Sequence, residues 1–182
     1  MKPLLVVDID GTVCDSADFV GQLSKRFCTH VDCWDDKQVR LFMEEVTKRE
    51  VLPGAEILSL LMRRGFCDVI FLTGRSEKIG RSLKLGRRLT TSWLHHKLQM
   101  PRDVRLFMRP PGDMRAPDVI KFDVFQKQII PTLHRRPFFV FLDDDTKVLS
   151  RYASYGLTLK SPECWGALQH YWLKDDTSKI VK

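Results

Sequence analysis

The chain has 182 residues, of which 43% are hydrophobic and 29% charged, and a formal net charge of +7. That length supports one domain with a good core, and the ordinary apolar fraction excludes gross disorder. No apolar stretch approaches the roughly eighteen residues of a membrane span, so no membrane role is expected.

The opening Met1-Lys2-Pro3-Leu4-Leu5-Val6-Val7 meets acid too soon for a secretory signal. The run Leu4 to Val7 has the composition of a buried parallel strand, and it leads into Asp8-Ile9-Asp10-Gly11-Thr12. Open α/β sheets build their sites at the carboxyl ends of such strands. Side chains alternate along a strand, so Asp8 and Asp10 would share a face if the strand continued through them. Two carboxylates that close stay ionised beside a cation such as Mg²⁺, leaving one to act as a nucleophile and the other as a general acid/base.

Helices are expected over Phe19–Phe27 and Asp36–Glu50, forming a small insert at about residues 16–52, and over Ala55–Arg64, stopped by Gly65. Cys28, His30 and Cys33 are close in sequence but lack a fourth partner at the usual spacing of a zinc site. Five cysteines without a C-x-x-C pair read as reduced thiols, and a cytoplasmic setting is expected.

A second apolar run, Asp68 to Leu72, ends in Thr73-Gly74-Arg75, and a hydroxyl beside a backbone turn suits a phosphoryl oxygen. Ser76 to Leu98 reads as one long helix. On it Lys78, Arg81, Lys84 and Arg88 fall at helical spacing, either as a solvated face or as a track for nucleic-acid phosphates. The charge is concentrated here: residues 61–121 carry a net +9, against −4 before and +2 after.

Val104–Met108 is a third strand, followed by an irregular loop from Arg109 to Pro117 with three prolines. A helix over Asp118–Leu133 carries Lys121 in its first turn. Phe138–Leu142 is a fourth strand running into Asp143-Asp144-Asp145. A helix over Lys147–Tyr155, a short strand near Leu157–Leu159 and a closing helix over Glu163–Leu173 complete residues 1–173 as a single domain. Residues 174–182 are expected to be a loose tail. Alternating strands and helices imply a Rossmann-like parallel sheet with helices on both faces.

The order strand-DxDGT, strand-Thr, Lys, strand-DD resembles the four motifs of the haloacid dehalogenase superfamily of aspartyl phosphatases, over roughly residues 4–160. Within it, Leu106-Phe107-Met108-Arg109, Gly112-Asp113-Met114-Arg115, Asp118-Val119-Ile120-Lys121, Asp143-Asp144 with Thr146, and Glu163-Cys164-Trp165 resemble the phosphatase domain of phage polynucleotide kinase/phosphatases. Two departures are visible. The loop between Met108 and Lys121 is shorter, so an arginine of that loop is missing or replaced by Arg109, and Thr73 stands where Ser is commoner. These residues carry no kinase half, since Gly80 and Gly86 are one residue too far apart for a phosphate-binding P-loop.

The resemblance implies a Mg²⁺-dependent phosphomonoester hydrolase. Asp8 would be the nucleophile and Asp10 the general acid/base. Asp8, Asp143, Asp144 and the Asp10 backbone carbonyl would ligate Mg²⁺. Thr73 and Lys121 would hold the transferring phosphoryl oxygens, and Thr73, Gly74, Arg75, Arg109 and Arg115 would bind substrate phosphate. The substrate is expected to be a phosphorylated nucleic-acid end, as in a polynucleotide 3′-phosphatase for DNA or RNA end repair, with a separate kinase or ligase partner. A 5′(3′)-nucleotidase or other small-molecule phosphatase is one alternative, and a catalytically degenerate nucleic-acid-binding module is another.

Overall fold

The computed structural model describes residues 2–27, 34–135, 137–168 and 170. Five parallel strands form one sheet: β1 (Leu4–Val7), β2 (Asp68–Ser76), β3 (Arg105–Arg109), β4 (Phe139–Asp143) and β5 (Gly156–Lys160). Their order is β3-β2-β1-β4-β5. The connections run outward from β1 in one direction and then in the other, so the order reverses between β1 and β4. That crevice is where open parallel sheets bind ligands.

Strand alternation divides the core between two faces. Leu5 and Val7 of β1 join one cluster, while Leu4 and Val6 join the other. On the first face lie α1 (Ala17–Phe27), α2 (Asp36–Val46), α3 (Ile57–Arg63) and α4 (Leu85–His96). On the second lie α5 (Pro117–Val124) and α6 (Thr146–Tyr152), supplying Ile120, Val124, Val148 and Tyr152 to its core. The fold is the expected Rossmann-like parallel sheet with helices on both faces, and α1 and α2 form the small insert between β1 and β2.

Several elements depart from the sequence expectation. The helix read from Ser76 begins only at Leu85. Residues 77–84 are a turn in which Ile79 and Ser82 exchange backbone hydrogen bonds at 3.0 and 3.1 Å. Gly80 sits in this turn at φ +56°, a conformation that only glycine adopts cheaply and that a helix does not contain. Lys78, Arg81 and Lys84 therefore do not form a helical stripe with Arg88. Ile79 alone of this stretch is buried, and Leu83, 62% exposed, does not continue an apolar helical face. Beyond α5, one π turn over Phe125–Ile129 and a 3-10 turn over Ile130–Thr132 replace the uniform helix read to Leu133. Pro131, lacking an N–H, lies in that last turn. The second helix stops at Val46 rather than Glu50, and the sixth at Tyr152 rather than Tyr155.

Among the described residues, no helix is long and apolar enough to cross a membrane. Cys14, Cys67 and Cys164 are buried free thiols. The Cys28, His30 and Cys33 cluster and the tail over 174–182 lie outside the described residues.

Candidate active site

The strand β1 ends at Val7, one residue before the first acid. Asp8 then lies on the α5 face, while Ile9 is fully buried on the other. Gly11 turns the chain at φ +73°, and a Cβ there would stand 2.3 Å from Asp144 Oδ2. Glycine is thus required twice over, by the backbone and by the carboxylate packed against it.

Asp8 faces Lys121, which α5 carries one turn beyond the proline that opens the helix. Lys121 Nζ lies 2.9 Å from Asp8 Oδ1 and 2.8 Å from Asp143 Oδ2, with all three side chains buried. An ammonium has three donors, so one N–H remains for a further oxygen. Burial alone would drive a proton off the lysine, but the two carboxylates hold it charged, above its ordinary range. Asp8 is pushed up to about 7, first by burial and then by Asp143 and Asp10, with Lys121 opposing. Burial and repulsion from Asp8 likewise raise Asp144 to about 6.

Asp8, Asp143 and Asp144 each bring an oxygen within 4.8 Å of the others. Three carboxylates set against one ammonium leave negative charge in excess, and all the donors are hard oxygens. The set fits a divalent cation of the Mg²⁺ type. The Asp10 carboxylate is not part of this cluster. It is gripped by Arg75, with Nε donating to Oδ2 at 2.8 Å and Nη2 to Oδ1 at 2.7 Å. The third nitrogen, Arg75 Nη1, is buried with no acceptor among the described residues.

Thr73 ends the buried stretch of β2. The Arg75 N–H donates to Thr73 Oγ1 at 3.2 Å, which leaves the hydroxyl hydrogen free to donate elsewhere. One cavity of about 610 Å³ is lined by Asp8, Asp10, Thr73, Arg75, Lys121 and Asp144, so the turn after β1, the end of β2, α5 and the end of β4 converge on one space.

A family model, the polynucleotide kinase PNKP phosphatase domain, matches residues 2–161. The chain belongs to that family. It is therefore a phosphatase domain of the haloacid dehalogenase type. Two chains of a Pnkp1/Rnl/Hen1 RNA repair complex resemble it at 17% and 18% identity and a TM-score of 0.57, over 88% of this chain. The chain spans less than half of their length, 42% and 45%. A haloacid dehalogenase-like hydrolase from Streptococcus pneumoniae resembles it at 12% identity and a TM-score of 0.52, over 87% of this chain and 84% of its own. No curated protein matches the chain in sequence.

In this phosphatase domain the arginines expected at the substrate occupy different places. Gly74 and Arg75 line the cavity, but Arg75 spends two of its nitrogens on Asp10. Arg109 also lines the cavity, while donating from Nε to the Gly74 carbonyl at 3.0 Å and from Nη1 to the Asp113 and Arg115 carbonyls at 2.9 Å. It ties the proline-rich loop to the strand end. Arg115 is outside the cavity lining, paired with Asp113 at 2.6 Å and Asp123 at 3.2 Å. Asp145 caps α6, accepting from the Lys147 N–H, and Asp118 pairs with Arg151 at 2.7 Å.

Ser16 escaped the sequence reading. Its hydroxyl donates to Asp10 Oδ1 at 3.0 Å and accepts from the Gly11 N–H at 3.1 Å, which fixes the second acid against its own turn. The available signal was a serine just before an amphipathic helix, a position usually read only as a cap. Trp165 is the second anchor, donating Nε1–H to the Thr12 carbonyl at 2.7 Å.

Proposed function

We propose that this phosphatase domain hydrolyses the 3′-phosphate of a polynucleotide end, with Mg²⁺ and through an aspartyl-phosphate on Asp8. The observation that supports the chemistry best is the buried Asp8–Lys121–Asp143 set, in which two carboxylates and an ammonium lie within hydrogen-bonding distance and a third carboxylate, Asp144, is close by. Asp8, Asp143 and Asp144, with the Asp10 backbone carbonyl, would hold Mg²⁺, which when bound offsets the charge of the phosphoryl group and of the carboxylates.

An Asp8 oxygen attacks phosphorus as the ester P–O bond breaks, and Asp10 gives its proton to the departing oxygen. Asp10 then takes a proton from the water that attacks the phosphorus, which releases inorganic phosphate and restores Asp8. The free third N–H of Lys121 and the Thr73 hydroxyl are donors suited to the phosphoryl oxygens. A proton handled at Asp10 demands a fixed carboxylate, and Arg75 with Ser16 fixes it.

Family membership favours a polynucleotide, and so does the basic segment that follows β2. Lys78 lines the cavity, and Arg81, Lys84 and Arg88 are exposed in the turn and first helical turn that follow β2. They act through charge without the helical register. A partner kinase or ligase fits the same reading. The test is a panel of 3′- and 5′-phosphorylated DNA and RNA oligonucleotides and mononucleotides assayed with Mg²⁺. Preference for 3′-phosphorylated oligonucleotides is expected; preference for mononucleotides would make the protein a nucleotidase. Replacing Arg81, Lys84 and Arg88 by Ser should raise KM for the oligonucleotide and flatten its salt dependence.

A further inference from the structure

The surroundings of Asp10 treat its two carboxylate oxygens differently. Oδ1 accepts from Arg75 Nη2 at 2.7 Å and from the Ser16 hydroxyl at 3.0 Å, while Oδ2 accepts from Arg75 Nε at 2.8 Å. A carboxylate oxygen offers two lone pairs, so both positions on Oδ1 are taken. Among the described residues, one position stays open on Oδ2. The Ser16 hydroxyl has a single hydrogen to give, and it already accepts from the Gly11 N–H at 3.1 Å. The other acceptor within its reach, the Cys14 carbonyl, is uncharged and 3.4 Å away. A carboxylate is the stronger acceptor, so the hydrogen goes to Asp10. Ser16 is 1% exposed, which shields that bond from solvent.

We propose that Asp10 carries the proton it gives and takes on Oδ2, and that Ser16 is the positioning residue that reserves Oδ1 for its own hydroxyl. The proposal rests on Asp10 as the general acid in the reading above and deepens it. A proton on Oδ1 would make Ser16 exchange its bond to a charged acceptor for the longer one to the Cys14 carbonyl. A proton on Oδ2 fills an open position and moves nothing. Arg75 grips both oxygens and does not choose between them; the serine breaks that symmetry. Asp10 lines the cavity with 22% of its side chain exposed, so it opens onto the space where the ester would lie. In the first step the bond from Asp8 to phosphorus forms, the ester P–O bond breaks, and the Oδ2 proton passes to the departing oxygen. In the second step a water oxygen displaces Asp8 from phosphorus and one water proton returns to Oδ2.

Protonating a leaving oxygen helps in proportion to its basicity. The test therefore compares phenyl phosphate with p-nitrophenyl phosphate, close in size but with a more and a less basic leaving group, both assayed with Mg²⁺. The quantity read is kcat/KM, which reports expulsion of the leaving group even where a later step limits kcat. Ser16→Ala is mild for the fold, since the Gly11 N–H keeps the Cys14 carbonyl at 3.0 Å and Arg75 keeps Asp10. It should lower kcat/KM for phenyl phosphate by about tenfold, the scale of one hydrogen bond to a charged group, and leave p-nitrophenyl phosphate within about twofold. Equal losses on the two esters, or no loss on either, would overturn the positioning role. Asp10→Asn, which has no proton to give, separates that failure from failure of the mechanism. A loss in Asp10→Asn that is steeper for phenyl phosphate keeps Asp10 as the acid, whatever Ser16→Ala does. Equal losses in Asp10→Asn would overturn Asp10 as the acid, and the proposal with it.

Discussion

Arg75 holds both oxygens of Asp10, 65 residues away in sequence, through a side chain with no exposed surface. A planar guanidinium can do this and an ammonium cannot, because the fork geometry is what matches a carboxylate. The pair sets where the second acid stands relative to Asp8. It also leaves Nη1 as a buried donor facing no protein acceptor among the described residues.

Arg75→Lys should therefore keep the charge and lose the alignment. kcat should fall by about 10- to 100-fold, with a smaller change in KM, as expected for a general acid displaced from its proton path. Arg75→Ala should also destabilise the fold by about 2 kcal/mol, less than a fully buried pair would lose because Asp10 keeps 22% of its side chain exposed. Steady-state kinetics and urea denaturation measure the two effects. An unchanged kcat in Arg75→Lys would show that Asp10 is positioned without it.

Asp8→Asn should abolish turnover by several orders of magnitude while the protein remains folded. Asn keeps the volume, and Lys121 keeps its 2.8 Å partner Asp143, so the buried ammonium is not orphaned. Substantial hydrolysis by a variant with wild-type circular dichroism and melting would rule out a covalent path through Asp8.

Chelation with EDTA should stop hydrolysis and Mg²⁺ should restore it. The same addition should raise the melting temperature, since a cation bound only by the folded state stabilises it by about 2.7 kcal/mol at a hundredfold excess over Kd. Neutralising Asp144 as Asn should weaken that thermal response by removing one of the three clustered carboxylates. A melting curve indifferent to Mg²⁺ would give the carboxylate cluster another purpose.

The helix α2, whose Val39, Phe42 and Met43 line the cavity, opens with a capping box. Asp35 accepts from the Lys37 and Gln38 N–H groups at 2.8 Å, and Gln38 Oε1 accepts from the Asp35 N–H at 2.8 Å. Asp35→Ala should lower stability by about 1 kcal/mol. The loss should be visible by denaturant titration, and by faster amide exchange in α2 than in β1. Equal exchange in both would mean that α2 does not open on its own.

What was legible in the sequence was the part written in local pattern. Leu4 to Val7 and Phe139 to Leu142 are short apolar runs bounded by acids, and a run of that kind admits few structures besides a buried strand. Lys121 was placed by a proline and a helical period. What stayed hidden was set by partners distant in the chain. The tie from Arg75 to Asp10 could not be read locally because it spans 65 residues. The turn at 77–84 looked helical because its charges happen to repeat at three- and four-residue intervals, while the deciding residue, Gly80, is informative only once its φ is known. Ser16 sits just before a helix, an ordinary local position, and its tie to Asp10 shows only in three dimensions.

The Trp165 indole and the Ser161 hydroxyl both donate to the Thr12 carbonyl, at 2.7 and 3.0 Å, after the last strand has already closed the sheet. A truncation at residue 161, where the family match ends, would retain all five strands and every chemical group at the catalytic centre. It would also sever the latch that holds the loop carrying both acids. The stretch needed to work should thus exceed the stretch the family model matches, and anyone trimming or fusing this protein should place the junction beyond the helical turn that carries Trp165.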